Sequence, residues 1–451
     1  MPEKPLNILY FVVHDLGKHL GCYNGGLIHS PRLDAFARES FRFHNAFTNA
    51  ACCSPSRGCA MTGQYSHVNG QIGLAHMGWS LPQSAKTIVD YFNEAGRTTV
   101  HCGLNHERHA GENHYQHDFE EHWDDWDAAN AVTKALTWLE KRPADADPFY
   151  LNIGTHDVHA SRFTKEPAAY APYKPAPEDV FVPPWLHDTP QIRAFLANFQ
   201  SAIGYLDVQF GRLLDGLDRL ALRETTLVVF TTAHGIAVPP RLAKGTCYDR
   251  GMEIALLARM PGPSAPGSDV HHLIQNIDFT PTFLELTGAP VPDSINGRSF
   301  APLLQGQPYQ PHEYIFVERN CHGEHNPEGP GFRDVYDPVR SVRTSDFHLI
   351  RHCHPELKDR PLRRHEAPPP PDANERTWPT SGVPRAETEL YYIAQDPLEL
   401  FDVVNQPEYA PVRDRLSTLI DTWMRDTDDL ALSSTAPTPP EKPGWGPWEN
   451  L

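Results

Sequence analysis

Short runs of apolar residues alternate with longer amphipathic stretches through the first half of the chain. The clearest runs are Asn7–Val13 and Thr226–Thr232, which are apolar except at their ends. A strand that is buried on both faces of a sheet has this composition, and parallel strands joined by helices are buried in this way. The pattern predicts an α/β fold with a large mixed, mostly parallel sheet sandwiched by helices.

The same reasoning places further strands and helices in this region. Each strand candidate is a short apolar run, and each helix candidate carries apolar residues along one face. The predicted strands are Thr98–Cys102, Phe149–Ile153 and Ile254–Ala258, and the predicted helices are Pro31–Ser40, Thr87–Ala95, Asp127–Lys141 and Gln191–Leu220.

The composition changes near residue 308, where proline, histidine and charged residues become frequent. Strand candidates at Tyr314–Val317 and Phe347–Arg351 and a helix candidate at Val412–Met424 follow. We therefore predict a main domain at 1–307 and, at 308–451, a smaller α+β subdomain with a small sheet, a helix and a Pro-rich tail.

The net charge of −18 over 451 residues argues against a general nucleic-acid binder, because a phosphate backbone needs a positive face. A local group of Arg, Lys and His can still hold an anionic substrate. The apolar run at the N-terminus is too short to span a membrane and lacks the layout of a secretory signal. The eight cysteines form no evident disulfide framework. We expect no membrane segment and a cytoplasmic location, or a periplasmic or secreted one if the sequence has been trimmed.

Polar residues follow the ends of four predicted strands. A lone histidine is more often a hydrogen-bonded structural residue than a functional one. Open α/β sheets, however, bind their ligands where the carboxyl ends of the strands meet, so four such ends together predict a metal or oxyanion site. The residues concerned are His14, Asp15, Asn105, His106, His156, His159 and His234.

The segment from Cys53 to Arg57 reads Cys-Ser-Pro-Ser-Arg. Ser-Pro-Ser is ordinary turn chemistry, and a helix can begin directly after it. The N-terminus of such a helix binds anions, and Arg57 adds a fixed positive charge beside it. Cys53 would then lie at the positive end of the helix.

This segment, continued by Met61-Thr62-Gly63, resembles the signature of the type I sulfatases of the alkaline phosphatase superfamily. The resemblance extends over most of the chain, and within the family it is strongest to the sulfamidase (heparan N-sulfatase, N-sulfoglucosamine sulfohydrolase) branch. The stretches that carry it include Pro31–Asp34, Thr155–His159, Val182–Leu186, Lys244–Gly251, Asp278–Thr282, Asn296–Ser299, Pro338–Arg343 and Glu389–Tyr391.

The resemblance implies a set of catalytic roles. Cys53 would be oxidised to formylglycine by a formylglycine-generating enzyme, and the hydrated aldehyde would attack sulfur. Arg57 would hold that group and Lys244 would contact the sulfate oxygens. His106 would take a proton from the diol, and His156 would protonate the leaving group.

The resemblance also implies a metal site and a sugar site. A divalent ion, calcium in the family, would be bound by His14, Asp15, His234 and the group made from Cys53. The residues expected to contact the substrate are Asn105, His159 and Arg343.

Three positions depart from the family pattern. His14 stands for a carboxylate, Ala233 for an acidic metal ligand, and Leu104 for a lysine near the sulfate. Calcium prefers oxygen ligands, so two imidazoles move the preference towards manganese or zinc. Ala233 is either part of a naturally altered, weaker metal site or an introduced inactivating substitution, and the sequence leaves both open.

The leading hypothesis is a sulfatase that removes sulfate or sulfamate from a sugar, with the N-sulfate of glucosamine in heparan-type glycosaminoglycans as the expected target. One alternative is a phosphonate or phosphate ester hydrolase of the same superfamily, since those relatives tolerate histidine at the metal site. Another is a catalytically disabled, glycan-binding homologue, which Ala233 and Leu104 would explain. Assembly into a homo-oligomer is left open.

Overall fold

The computed structural model describes residues 6–108, 112–119, 126–143, 145–186, 188–237, 243–261, 267–325, 332–356, 385–433 and 436–440. Its strands are β1 (Asn7–Val13), β2 (Phe41–Phe43), β3 (Ala46–Phe47), β4 (Thr98–Gly103), β5 (His117–Asp118), β6 (Phe149–Thr155), β7 (Thr226–Thr232), β8 (Leu256–Arg259), β9 (Asp269–Val270), β10 (Ile274–Gln275), β11 (Tyr314–His325), β12 (Phe332–Thr344), β13 (Phe347–His352) and β14 (Thr388–Tyr392).

The helices vary from four to thirty residues in length. They are α1 (Pro31–Ala37), α2 (Cys53–Thr62), α3 (Ser66–Asn69), α4 (Ile88–Glu94), α5 (Ala128–Lys141), α6 (Ala160–Phe163), α7 (Pro190–Arg219), α8 (Asp249–Met252), α9 (Phe279–Thr287), α10 (Ala301–Leu304) and α11 (Ala410–Asp426). No helix in these described ranges is both long and apolar enough to cross a membrane.

The main sheet has eight strands in the order β5-β4-β6-β1-β7-β8-β2-β9. Strands β4, β6, β1 and β7 are neighbours and run parallel, whereas β8 is antiparallel to both β7 and β2. The sheet is therefore mixed and mostly parallel, which confirms the predicted fold class. The boundaries of β1 and β7 are those predicted from their apolar runs.

Strand β1 lies at the centre of the main sheet and faces a hydrophobic core on each side. Successive side chains of a strand point to opposite faces. Leu9 and Phe11 accordingly join the core beneath α1, α5 and α7, and Ile8 and Tyr10 join the core beneath α4 and α9. This arrangement explains why the strand has no polar side in the sequence.

Helix α7 covers much of one face of the sheet. Thr189 caps its first turn by accepting a hydrogen bond from the backbone N–H of Ile192 at 3.2 Å, and Pro190 occupies the first helical position, where proline is tolerated. Its apolar stripe packs on α5, and Phe210 contacts Phe11 edge to face with ring centroids 5.2 Å apart. The predicted helix is confirmed to within one residue at each end.

A second, smaller sheet has four antiparallel strands in the order β11-β12-β13-β14. Helix α11 packs on it, with Trp423 stacked on Phe316 at a centroid distance of 4.6 Å. Two of these strands, β12 and β14, were not predicted, because their polar and charged residues hide the strand pattern. The Pro-rich stretch 368–371 and the tail beyond residue 440 lie outside the described residues. The division into 1–307 and 308–451 stays a prediction.

A buried ion pair holds the small sheet together. The guanidinium of Arg340, which is fully buried, donates to both carboxylate oxygens of Asp429, at 2.5 and 2.6 Å. It also donates to the side chain of Asn320 at 2.8 Å and to the backbone carbonyl of Arg319 at 3.0 Å. Because a buried charge is tolerated only when it is paired and hydrogen-bonded, this guanidinium depends on its partners.

Replacing Asp429 by Asn should destabilise the protein strongly, because it removes the carboxylate bonded directly to Arg340 and leaves the more distant carboxylate of Glu318, at 3.7 Å, to balance the buried charge. We expect Asp429→Asn to lower the free energy of unfolding by about 3–5 kcal/mol in chemical denaturation. Asp421→Asn is the matched control, since Asp421 pairs with Arg351 at the surface and its side chain is 50% exposed. The control should lose less than about 1 kcal/mol. Equal losses in the two variants would contradict this account of the small sheet.

Candidate active site

Four neighbouring parallel strands deliver their following residues to one edge of the main sheet. The ladder continues past the strand ends: Leu104 N–H donates to the carbonyl of Gly154 at 2.9 Å, and Ala233 N–H donates to the carbonyl of Val13 at 2.8 Å. The chain segments that follow β1, β4, β6 and β7 therefore begin side by side. The four strand ends predicted from the sequence do converge.

Helix α2 begins at Cys53 and points its N-terminus into this edge. Cys52 before it is extended, Gly63 after it is left-handed with φ of 70°, and all ten helical residues are buried. The helix is fixed from outside, since Asn276 Nδ2 donates to the carbonyl of Ser56 at 2.8 Å and Thr280 Oγ1 to that of Ala60 at 2.8 Å. Cys53 thus lies at the positive end of a buried helix dipole.

Asp15 is the centre of charge in this site. Its Oδ1 accepts a hydrogen bond from Lys244 Nζ at 2.7 Å and lies 3.2 Å from Nε2 of His234, and its Oδ2 lies 3.7 Å from Nε2 of His159. Its backbone has φ of 57°, a left-handed conformation that is uncommon outside glycine but tolerated by Asp. Strained conformations of this kind cluster at functional sites.

Backbone hydrogen bonds between the segment after β7 and the loop that follows it place Lys244 beside Asp15. The N–H groups of Gly235 and Ile236 donate to the carbonyls of Gly251 and Arg250, both at 3.0 Å. A Cβ at Gly235 would lie 2.0 Å from the carbonyl oxygen of Arg250, so only glycine permits this contact. Lys244 N–H then donates to the carbonyl of Ile236 at 2.9 Å, which places the lysine beside the end of β7.

The guanidinium of Arg57 joins two of the strand ends. Its Nη2 lies 3.3 Å from Nδ1 of His14, and its Nη1 donates to the carbonyl of Leu104 at 3.4 Å. The residue is buried. Leu104, which stands where the family has a lysine, thus contributes a backbone oxygen that orients Arg57, while its side chain lies in the interior.

The imidazoles of the site pack as a group around His14. Its ring centroid lies 5.4 Å from those of His106 and His156, 5.7 Å from that of His234 and 5.9 Å from that of His159. His156 and His159 stack at 4.3 Å. We call the rings of residues 14, 106, 156, 159 and 234 the histidine cluster; all five were named from the sequence.

The charges of the site support one another. Burial alone would raise the pKa of the Cys53 thiol, but Lys244 and His234 outweigh it and hold that pKa below its ordinary value. Burial would raise the pKa of Asp15 as well, yet Lys244 and His159 keep it well below the usual range. Burial would lower the pKa of Lys244, but Asp15 and Cys53 raise it. The lysine and the carboxylate are therefore both charged.

Most of the clustered imidazoles are held in the neutral form. Burial, followed by the nearby charge of Arg57, lowers the pKa of His14 well below its ordinary value. Burial has the same effect on the pKa of His106 and His156, where neighbouring imidazoles add to it. His234 differs: burial would lower its pKa, but Cys53 and Asp15 raise it. Neutral imidazoles are the form that binds metal ions and accepts protons.

Ligand atoms of His14, Asp15, Cys53 and His234 lie within 4.8 Å of one another, close enough to share one metal ion. The contact of His234 with a backbone carbonyl fits this use. Its Nδ1 lies 3.0 Å from the carbonyl of Gly235, which can only accept, so we assign the proton to Nδ1. The lone pair of Nε2 then faces the Asp15 carboxylate. Two facing acceptors need a proton or a metal ion between them.

Calcium fits this donor set poorly, because it takes six to eight oxygen ligands and Asp15 is the single carboxylate of the group. At Ala233, where an acidic ligand was expected, the side chain is a methyl group packed in the core beside the strand end. Two imidazoles, a carboxylate and a thiol, or the aldehyde hydrate made from it, suit a transition ion better.

Arg343, expected to contact the substrate, is buried and paired with a carboxylate. Its guanidinium donates to Asp249 at 3.0 and 3.1 Å and lies over the ring of Phe47, and its side chain is 5% exposed. The guanidinium is already engaged by this pair, and the contact of Arg343 with the substrate stays a prediction. Asp249 lies 94 positions away in the sequence, which is why the pairing could not be anticipated.

The other expected substrate residues do lie beside the site. Asn105 is next to His106 and accepts a hydrogen bond from the N–H of Glu107 at 3.2 Å. The side chains of His159 and Lys244 are 22% and 13% exposed, so the site reaches solvent beside them. Sequence reasoning missed His76, whose ring stacks on His106 with centroids 5.7 Å apart. His76 follows no strand, so the strand-end pattern could not reveal it.

Comparison with known families agrees with this geometry. Residues 6–289 match the family model described as Sulfatase, and residues 242–360 match the model described as N-sulphoglucosamine sulphohydrolase, C-terminal. The first match covers more than half of the chain. The chain therefore belongs to the sulfatase family, a family of sulfuric ester hydrolases whose members generally use a metal ion and formylglycine.

Individual relatives match over nearly the whole chain. The N-sulphoglucosamine sulphohydrolase of Homo sapiens is 28% identical over 94% of this chain and 91% of its own length. An ulvan-active sulfatase of Formosa agariphila is 27% identical over 95% of this chain and 81% of its own length. A solved structure in complex with its substrate D-glucosamine-2-N,6-O-disulfate has a TM-score of 0.70 at 19% identity, covering 95% of this chain and 99% of that chain. At that identity the likeness shows the fold.

Arg57→Lys should impair the site although it keeps the charge. Only the planar guanidinium can reach His14 and the Leu104 carbonyl at once, and a lysine offers a single point of contact. We expect kcat/KM for sulfate release to fall by about 10²-fold, the usual effect of losing one preorganised donor. Arg219→Lys, in an exposed pair with Glu140, is the control and should leave the rate unchanged. An Arg57→Lys variant with the rate of the unmodified protein would refute this role.

Proposed function

We propose that this protein hydrolyses the N-sulfate of glucosamine residues in heparan-type saccharides, with a formylglycine made from Cys53 as nucleophile. The observation that carries the proposal is the convergence of Cys53, Arg57 and Lys244 with the histidine cluster at one sheet edge. The relative that acts on N-sulphoglucosamine, and the match of residues 242–360 to its C-terminal family model, support this substrate.

The pocket suits a tetrahedral anion despite the net charge of −18 of the whole chain. The N-terminus of α2 and the cations of Arg57 and Lys244 surround the place where Cys53 begins its helix. Positive charge that is fixed before the substrate arrives stabilises the charge that develops on sulfate oxygens during transfer. The hydrated aldehyde supplies the attacking oxygen and a second hydroxyl whose deprotonation releases sulfate.

The imidazoles provide proton transfer on both sides of the sulfur. His106, kept neutral by burial, accepts a proton from the nucleophile. His156 gives a proton to the departing nitrogen; its pKa is low in the free protein, and the negative charge of an arriving sulfamate favours its protonated form. Overall, the S–N bond breaks, an S–O bond forms, and one water is consumed as amine and sulfate are released.

Sulfate release from N-sulfoglucosamine tests the proposal. The protein would be coexpressed with a formylglycine-generating enzyme and compared with Cys53→Ala, which removes the nucleophile, and with Ala233→Asp, which restores the acidic group that the family has there. We expect turnover by the unmodified protein, none by Cys53→Ala, and a faster rate for Ala233→Asp.

Three substrates offered in parallel separate the alternatives. Faster cleavage of an aryl phosphodiester than of N-sulfoglucosamine would replace the proposal with a phosphoester hydrolase. Preference for a glucosamine O-sulfate would show that the enzyme cleaves sulfate from a sugar oxygen and not from the nitrogen. Saturable binding of the sulfated sugars without release, by both the unmodified protein and Ala233→Asp, would leave a glycan-binding homologue.

The divalent ion of this site is proposed to be manganese or zinc in place of calcium. The Asp15 carboxylate and single nitrogens of His14 and His234 would hold it, together with the group made from Cys53. Burial keeps His14 neutral, and His234 has its Nδ1 fixed by a carbonyl, which orients Nε2 towards the site. The ion would supply positive charge next to the attacking oxygen.

Metal content measures this preference without any assay of activity. After equilibration with equal concentrations of Ca²⁺, Mn²⁺ and Zn²⁺ and removal of free ions, elemental analysis should find one transition ion per chain and no calcium. His14→Asp exchanges a nitrogen ligand for oxygen and should shift the content towards calcium. His271→Ala, which removes an exposed imidazole stacked on His44, controls for adventitious binding. Calcium in the unmodified protein would contradict the preference.

A further inference from the structure

The segment 71–80 follows the nucleophile helix and is buried except at one position. Nine of its ten residues are buried, and His76 alone is partly exposed. The apolar side chains of Ile72, Leu74, Met77 and Trp79 form a hydrophobic cluster with Cys53. Because its neighbours are buried, the backbone that carries the His76 imidazole is held in place by packing.

A hydrogen bond from the backbone to a serine hydroxyl ties this segment to the nucleophile helix. Ala75 N–H donates to the Ser54 hydroxyl at 3.0 Å, one residue along from Cys53. The next turn closes at Gly78, whose φ of 90° is left-handed and favours glycine. His76 lies in the short turn between Ala75 and Gly78, so it directly follows the residue that is bonded to the start of α2.

The same segment is joined to the loop that carries His106. The side-chain amide of Gln71 donates to the carbonyl of Glu107 at 2.5 Å, and Leu81 N–H donates to the same carbonyl at 2.8 Å. The loop is closed locally as well, because His106 N–H donates to the Glu107 carboxylate at 2.8 Å. The two loops are therefore joined by hydrogen bonds at Glu107.

His76 meets His106 in an ordered ring contact. The two imidazoles stack with centroids 5.7 Å apart and planes inclined by 20°. His106 in turn contacts His14 at 5.4 Å with planes inclined by 62°. The ring of His106 therefore lies nearly parallel to that of His76 and edge to face with that of His14. Contacts of both kinds favour a single orientation of its side chain.

We propose that His76 is a positioning residue that holds the imidazole of His106 in the orientation needed for proton transfer at the Cys53-derived nucleophile. The inference rests on the proposed function, because it assigns His106 the task of accepting a proton. A proton acceptor works only when its nitrogen points at the donor, and small misplacements are costly to the rate. The support is the ring stack, which a second flat ring can reproduce.

Kinetics of His76→Ala and His76→Phe test this role. Without the stacking ring, His76→Ala should lower kcat for sulfate release by about tenfold and change KM by less than about twofold, because orientation affects the chemical step. His76→Phe keeps a flat ring against His106 and should recover most of the rate. His271→Ala removes an imidazole that stacks on His44, outside the histidine cluster, and should match the unmodified protein.

Each other outcome has a definite meaning. Unchanged kcat in His76→Ala would overturn the proposal. A raised KM with unchanged kcat, not rescued by Phe, would overturn it too, since His76 would then bind the saccharide directly. If the unmodified protein releases no sulfate, the proposed function fails separately. A crystal structure of His76→Ala still decides positioning: a displaced or disordered His106 side chain supports it, and an unmoved one refutes it.

Discussion

The site depends on the buried ion pair between the carboxylate of Asp15 and Lys244. The lysine comes from a distant loop, and the carboxylate also faces imidazoles that follow β6 and β7. Without that negative charge, the buried ammonium group of Lys244 would lose the carboxylate that favours its charged form. The carboxylate thus keeps Lys244 ready for an anionic group, and its own backbone is in the left-handed conformation, with φ of 57°.

The parallel order of β4, β6, β1 and β7 explains why this charge balance arises there. Four segments that are far apart in the sequence leave the sheet at adjacent points, and α2 brings Cys53 to the same edge. The members of the histidine cluster have separate roles in the proposed reaction. His14 stands for a carboxylate and makes the donor set less suited to calcium, whereas proton transfer is assigned to His106 and His156.

The parts of the fold that could be predicted are those whose signal is local. The apolar runs of β1 and β7 gave their boundaries to the residue, whereas β12, a strand with charged residues and Pro338, gave none. The strand-end residues of the site were found because parallel topology gathers them. The pairing of Arg343 with Asp249 was not anticipated, since the two residues are distant in sequence, and His76 was missed, because it reaches the site through a loop.

The central claim is that Cys53 is the precursor of the nucleophile, and mass spectrometry of the peptide that contains it is the most direct test. After coexpression with a formylglycine-generating enzyme, the peptide should carry an aldehyde in place of the thiol and should react with a hydrazide. A peptide that keeps its thiol, from a protein that nevertheless releases sulfate, would contradict the account, because the reaction would then proceed without the nucleophile on which it is built.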